Sequence, residues 1–116
     1  MSRASPAEPA GHLGWFVIPA DHPCLPGHFP GRPLIPGAVL LDEAIALVLA
    51  QHPARRLTSV LACKFLAPVA PEERVDVCMC DGDKDTVALS CIVSGTTVLR
   101  GTIRLADWDD VPPDPA

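Results

Sequence analysis

The spacing of apolar positions changes along this chain, and each change marks a different kind of element. Leu13 to Pro19, L-G-W-F-V-I-P, has the aromatic and β-branched content of a strand. Six prolines between Pro19 and Pro36 then exclude both helix and central strand, leaving a stiff loop. Ala38 to Gln51 is apolar on every side except at Asp42 and Glu43, which predicts a helix sheathed by protein. The helix begins near Gly37, where Pro36 and Gly37 suit its first positions, and ends before Pro53, with His52 in its last turn. About 14 residues at ~1.5 Å each make a rod of about 21 Å, enough to cross the concave face of a sheet.

Beyond the helix the period becomes that of strands. Leu57 to Ala67 is mostly apolar with one charge, Lys64. Arg74 to Cys80 alternates, with Val75, Val77 and Met79 set against Asp76, Cys78 and Cys80, and D-G-D-K-D at 81–85 is a turn. Thr86 to Val93 puts Val87, Leu89, Cys91 and Val93 on one face, and S-G-T at 94–96 reads as a hairpin turn. Leu99, Ile103 and Leu105 then face inward while Arg100, Thr102 and Arg104 face outward. The expected fold class is α+β: one long helix among about five mostly antiparallel strands, spanning 12–106, with loose tails at 1–11 and 107–116.

Composition narrows the function. A chain of 116 residues, 48% of them hydrophobic, is expected to form one domain with one core. A net charge of −5 with no run of Lys or Arg argues against nucleic acid. The longest apolar segment, Ala38 to Ala50, is broken by Asp42 and Glu43 and is too short to span a membrane. The first residues lack the apolar core of a signal peptide, so a cytoplasmic location is expected. Five cysteines, Cys24, Cys63, Cys78, Cys80 and Cys91, lack metal-ligand spacing and read as reduced thiols packed as small hydrophobes, with no metal expected. Cys24 is set apart because it lies near the candidate chemistry.

That chemistry sits between Pro26 and Glu43, P-G-H-F-P-G-R-P-L-I-P-G-A-V-L-L-D-E. A base and an acid held by rigid parts, with unpartnered backbone donors beside them, suit removal of a proton at one atom, its delivery at another, and stabilisation of charge growing on an oxygen. His28, confined by Gly27, Phe29 and Pro30, suits the base. A carboxylate among Leu40, Leu41, Ile45 and Leu49 would be desolvated and keep its proton, which suits the acid. Periodicity leaves Asp42 and Glu43 equally placed for this. The first N–H groups of the helix, at Gly37, suit the oxygen, though a simple helix-start glycine reads the same way.

The run H-F-P-G-R-P-L-I-P-G-A-V-L-L-D, His28 to Asp42, resembles the signature of the hot-dog-fold 3-hydroxyacyl-acyl carrier protein dehydratases, H-F-x-G-x-P-x-x-P-G with an acid fourteen residues after the histidine. K-F-L-A-P-V-A-P, Lys64 to Pro71, resembles that family's strand and turn after the helix, and the likeness extends over roughly Leu13 to Leu105. The resemblance implies a hot-dog fold, a central helix wrapped by the sheet. It chooses Asp42 over Glu43, and aspartate there is similar to the branch that also isomerises the double bond. It implies that the Gly37 N–H contacts the thioester and that His28 and Asp42 come from different chains of a homodimer, with an acyl tunnel along the seam. It further implies an acyl group on acyl carrier protein or coenzyme A and no cofactor. Phe29, Leu34, Ile35, Phe65 and Leu66 are then candidate tunnel wall, although plain core reads the same way, and Arg32, Arg55, Arg56 and Lys64 are candidates for docking an acidic carrier.

Two features depart from that pattern. Ala46 stands where a glutamine usually follows the acid by four residues, and the helix and early strand that commonly precede the first strand are not found here. Both are similar to small dehydratase-like proteins of bacterial lipid or aryl-polyene clusters. A hot-dog thioesterase and a non-catalytic acyl-binding or partner subunit are the alternative readings.

Overall fold

The computed structural model describes residues 11–22 and 34–108. Within them, β1 (His12–Val17) is followed by α1 (Gly37–Ala50), then β2 (Arg55–Phe65), β3 (Arg74–Asp81), β4 (Thr86–Val93) and β5 (Thr96–Asp107). The strands form one sheet in the order β1-β3-β4-β5-β2, with every neighbouring pair antiparallel. β1 and β2 are therefore its edges. β5 runs through Asp107, and the Trp108 N–H donates to the Ala54 carbonyl at 3.0 Å, so order extends to the edge of the acidic tail.

The period-2 alternation sets which face is core. Val75 and Val77 of β3, Val87, Leu89, Cys91 and Val93 of β4, and Leu99, Ile103 and Leu105 of β5 are buried as the pattern requires. From the helix, Leu40, Ala44, Ile45 and Val48 close over them. Burial pushes the Cys91 thiol up to about 12, with Cys63 and Cys78 nearby adding to it, so Cys91 behaves as a core hydrophobe. Cys63, Cys78, Cys80 and Cys91 are all free thiols.

The turn at Ser94 and Gly95 has φ of 49° and 81° at its two central residues, the left-handed pair that a two-residue hairpin matched to strand twist demands. Gly95 supplies this without strain because it has no Cβ, and since no atom lies within 4 Å of where one would sit, an added Cβ would meet only the backbone penalty. Gly95→Ala is therefore expected to lower stability by roughly 1 kcal/mol through backbone strain alone, read as a small drop in the urea midpoint at unchanged m.

The sheet covers one side of the helix: Ala38, Asp42, Ala46 and Ala50 are exposed along one stripe, and Val39, Leu41, Glu43, Leu47 and Leu49 are only partly covered. A single five-stranded sheet covers one side of a rod, and the apolar residues on the other side of this one remain uncovered.

Candidate active site

The helix starts where its sequence directs. Pro36, at φ −58° and ψ 140°, leads in, and its carbonyl accepts from the N–H groups of Val39 at 3.0 Å and Leu40 at 3.3 Å. The N–H of Ile35 donates to the Val69 carbonyl at 2.8 Å, which ties the approach to α1 onto the segment that follows β2. Among the described residues no side chain caps the helix, and the N–H groups of its first turn lie at the positive end of its dipole.

Against this end lies the ring of Phe65. A Cβ built on Gly37 would sit 2.6 Å from its Cδ1 and 2.7 Å from its Cζ, closer than any side chain could approach. Gly37 is thus required by the fit of an aromatic ring on the helix start. Together with Ile35, Ala38, Leu40, Leu66 and the segment at Ala67 and Pro68, these residues line a cavity of about 480 Å³. Ile35 is buried, whereas Leu34 and Phe65 are about half exposed, at 49% and 52%. Of the residues expected to meet the acyl group, Ile35, Gly37 and Phe65 therefore converge on one cavity; Leu34 precedes them and does not line it. His28 and Phe29, and with them Cys24 and Arg32, lie outside the described residues.

Asp42 is five residues beyond Gly37 and exposed, in contrast to the buried environment expected for it. Of the apolar residues three and four away, Ile45 is buried against the sheet, whereas Ala38 and Ala46 share the exposed stripe with Asp42. Glu43, next to it, is half-buried. Among the described residues Asp42 thus stands on the exposed side of α1, and the first-turn N–H groups stand at the mouth of an apolar cavity.

Two of the cations expected to form a docking patch are otherwise placed. Arg55 donates to Asp85 at 2.8 Å and approaches Asp107 at 3.6 Å, tying β2 to the turn before β4 and to the end of β5. Arg56 has its Nε buried without a hydrogen-bond partner among the described residues. Lys64 is exposed.

A cluster on the helix-free face of the sheet escapes sequence reasoning. His12 Nε2 donates to Asp76 Oδ1 at 2.8 Å, Arg74 donates to the same oxygen at 3.0 Å, and the Arg74 guanidinium lies 4.8 Å from the Trp15 ring centroid. Only the β1–β3 pairing reveals it, although Arg74 and Asp76, two apart in a strand, had to share a face. Partial burial alone would raise the Asp76 carboxyl, but hydrogen bonds from His12 and Arg74 and the Arg74 charge outweigh it and hold the group below its ordinary range. A carboxyl depressed in the folded state stabilises fully above its unfolded value of about 3.9, and this contribution disappears as pH falls through the lower folded value. Denaturant midpoints measured from pH 6 down to pH 2 should therefore fall more steeply in the wild type than in Asp76→Asn.

A family model described as ApeI-like, ApeI dehydratase, matches residues 9–101. The chain belongs to the ApeI-like dehydratase family. Among curated proteins, this ApeI-like chain is similar to the 3-hydroxyacyl-[acyl-carrier-protein] dehydratase FabZ of Anaeromyxobacter sp. (strain Fw109-5). The two are 29% identical over 90 residues, covering 66% of this chain and 57% of FabZ. The ApeI-like chain thus spans less than two thirds of that relative's length. Among solved structures it is similar to an uncharacterized protein from Erwinia carotovora subsp. atroseptica, with a TM-score of 0.71 at 22% identity, covering 83% of this chain and 82% of that one. The dehydratase heterocomplex ApeI:P from Xenorhabdus doucetiae aligns with a TM-score of 0.70 at 24% identity, covering 84% of this chain and 90% of that chain. A thioesterase from Thermus thermophilus, complexed with coenzyme A and Zn, aligns at 0.58 and 13% identity over 93% of this chain and 88% of its own. At these identities the structures carry the fold, which is the hot-dog fold expected from the sequence. Among the described residues no helix of this ApeI-like protein is long and apolar enough to cross a membrane.

Proposed function

We propose that this protein dehydrates a 3-hydroxyacyl thioester, held on acyl carrier protein or coenzyme A, to the trans-2-enoyl thioester in a fatty-acid-like, lipid or aryl-polyene route. The observation that carries the reading is the apolar cavity at the amino end of α1, lined by Ile35, Gly37 and Phe65, beside the first-turn N–H groups of the helix. An oxygen there receives hydrogen bonds and the field of the helix as the enolate charge grows. His28 takes the proton from C2, the C2–C3 double bond forms, and the C3–O bond breaks as Asp42 gives its proton to the departing hydroxyl. Water leaves, and return of the proton from His28 to Asp42 resets both groups.

Asp42 comes from a second chain. The exposed apolar stripe of α1 and the edge strand β2, with Val60, Leu61 and Phe65 exposed along its length, are surfaces that a second copy would cover. Such cover strips water from Asp42, which a single chain leaves wet, and favours the protonated form that an acid catalyst needs. The test is incubation with 3-hydroxyacyl and saturated acyl thioesters of several chain lengths. Enoyl thioester from the first, without free thiol from either, is the expected result. Free thiol would instead mark the hydrolysis of a thioesterase, and no turnover of any thioester would mark a non-catalytic subunit.

A further inference from the structure

The face of the sheet that the helix does not touch is built as a cationic surface. On β5, Arg100, Thr102 and Arg104 alternate outward between the buried Leu99, Gly101, Ile103 and Leu105. Lys64 of β2 is the register partner of Arg100, so two positive charges stand opposite each other across neighbouring strands. Like charges so placed repel. Even so, among the described residues Lys64, Arg100 and Arg104 have no acidic partner. The acid on this face, Asp76, is already engaged by His12 and Arg74. In a chain of net charge −5, this concentration of unpaired cations is a local reversal of sign.

The surface is also shaped. A groove of about 660 Å³ runs across β3, β4, β5 and β2, with Lys64 and Arg100 at one end and Cys80 and Ala88 at the other, and Ser90 and Thr102 between. No residue of α1 lines it, which puts it on the helix-free side. Apart from Met79 and Leu89 its floor is made of small side chains, so a rounded partner can come close to the backbone of β4 and β5. Arg100 and Arg104 are four residues apart on one strand, about 13 Å at ~3.3 Å per residue. That is wider than one phosphate group but matches acids about eight residues apart on a helix, near 12 Å at ~1.5 Å each.

We infer that this groove is the docking surface for an acidic helix of the protein that carries the acyl thioester, held by Lys64 and Arg100 in the groove and by Arg104, two residues beyond the lining Thr102 on β5. The inference rests on the dehydratase reading and assigns its carrier a place. Lys64 and Phe65 are consecutive in β2 and point to opposite faces, so a carrier seated in the groove lies one strand's thickness from the cavity at Gly37. Its prosthetic arm passes the end of β2 at Leu66 to reach that cavity.

The experiment compares wild type with the double variant K64E/R100E, which keeps a like-charge pair across the strands and so preserves the local strain. The same 3-hydroxyacyl group is offered on acyl carrier protein, on coenzyme A and on pantetheine without phosphate, and binding of the carrier is titrated separately at low and high salt. The expected result is a rise of tenfold or more in KM and Kd for the carrier at low salt, shrinking as salt is added, with kcat, melting temperature and both small thioesters unchanged. Unchanged carrier KM and Kd would overturn the inference. So would a rise in KM confined to coenzyme A, which would make the surface a phosphate site, or loss of the native oligomer, which would make it an interface between copies. Because the titration needs no turnover, a wild type inactive on all three substrates would count against the dehydratase reading and leave the titration to decide the surface.

Discussion

Asp42→Asn is expected to lower kcat for dehydration by about 10²- to 10⁴-fold, the range that general acid catalysis supplies, while leaving the fold intact. Asp42 is exposed on the single chain and belongs to no ion pair among the described residues, so the fold of the chain does not rest on it. Substitutions at such positions usually change stability by no more than about 0.5 kcal/mol. Asparagine keeps the size and polarity of the side chain and removes only the proton. Glu43→Gln provides the comparison: Glu43 is half-buried on the adjoining side of α1 and is expected to retain most of the activity. Steady-state rates for the two variants on one 3-hydroxyacyl thioester, with melting curves alongside, check this. An inactive Glu43→Gln beside an active Asp42→Asn would exchange their roles.

Gly37→Ala should be the most damaging change of a single methyl group. Its Cβ would enter the space held by the Phe65 ring, at 2.6 Å from Cδ1. Because that ring is half exposed, it can swing aside, so the cost to stability is small. The cost to function is larger, because the methyl group and the displaced ring then occupy the route by which a thioester reaches the N–H groups of the first turn. A displacement of about 1 Å at a reacting centre costs on the order of 10²-fold, and a loss of that size in kcat/KM is expected. Phe65→Ala combined with Gly37→Ala separates the two causes. Removing the ring should restore access but not the close approach, so the double variant recovers only part of the loss. Full recovery would mean that the ring alone was the obstacle.

Sequence and structure agree most closely where one rule acts alone. In β4 and β5 the alternation of apolar and polar residues leaves one choice of inward face, and Val87, Leu89, Cys91, Leu99, Ile103 and Leu105 are buried accordingly. The hairpin turn was legible for the same reason, since S-G-T supplies a glycine where φ must be positive. The start of α1 was legible from Pro36 and Gly37, and the motif brought Ile35, Gly37 and Phe65 to one cavity. Asp42 was not legible. Apolar neighbours at three and four residues describe a helix uniformly greasy, and only the sheet decides which side it covers. A sequence does not contain that asymmetry when both sides of the helix are apolar, because only the packing of the sheet selects one of them. The contacts that depend on strand order, His12 with Asp76 and Arg55 with Asp85, were hidden for a related reason: they join residues 64 and 30 positions apart.

The proposed mechanism builds one site from His28 of one chain and Asp42 of another. Mixed dimers formed by refolding His28→Ala together with Asp42→Asn test it most directly. Each variant alone should be inactive. In a random mixture half the dimers hold one chain of each kind, and each of these rebuilds one of its two sites, so about a quarter of wild-type activity should return. A mixture in which mass measurement detects mixed dimers, but in which no activity returns, would contradict the account.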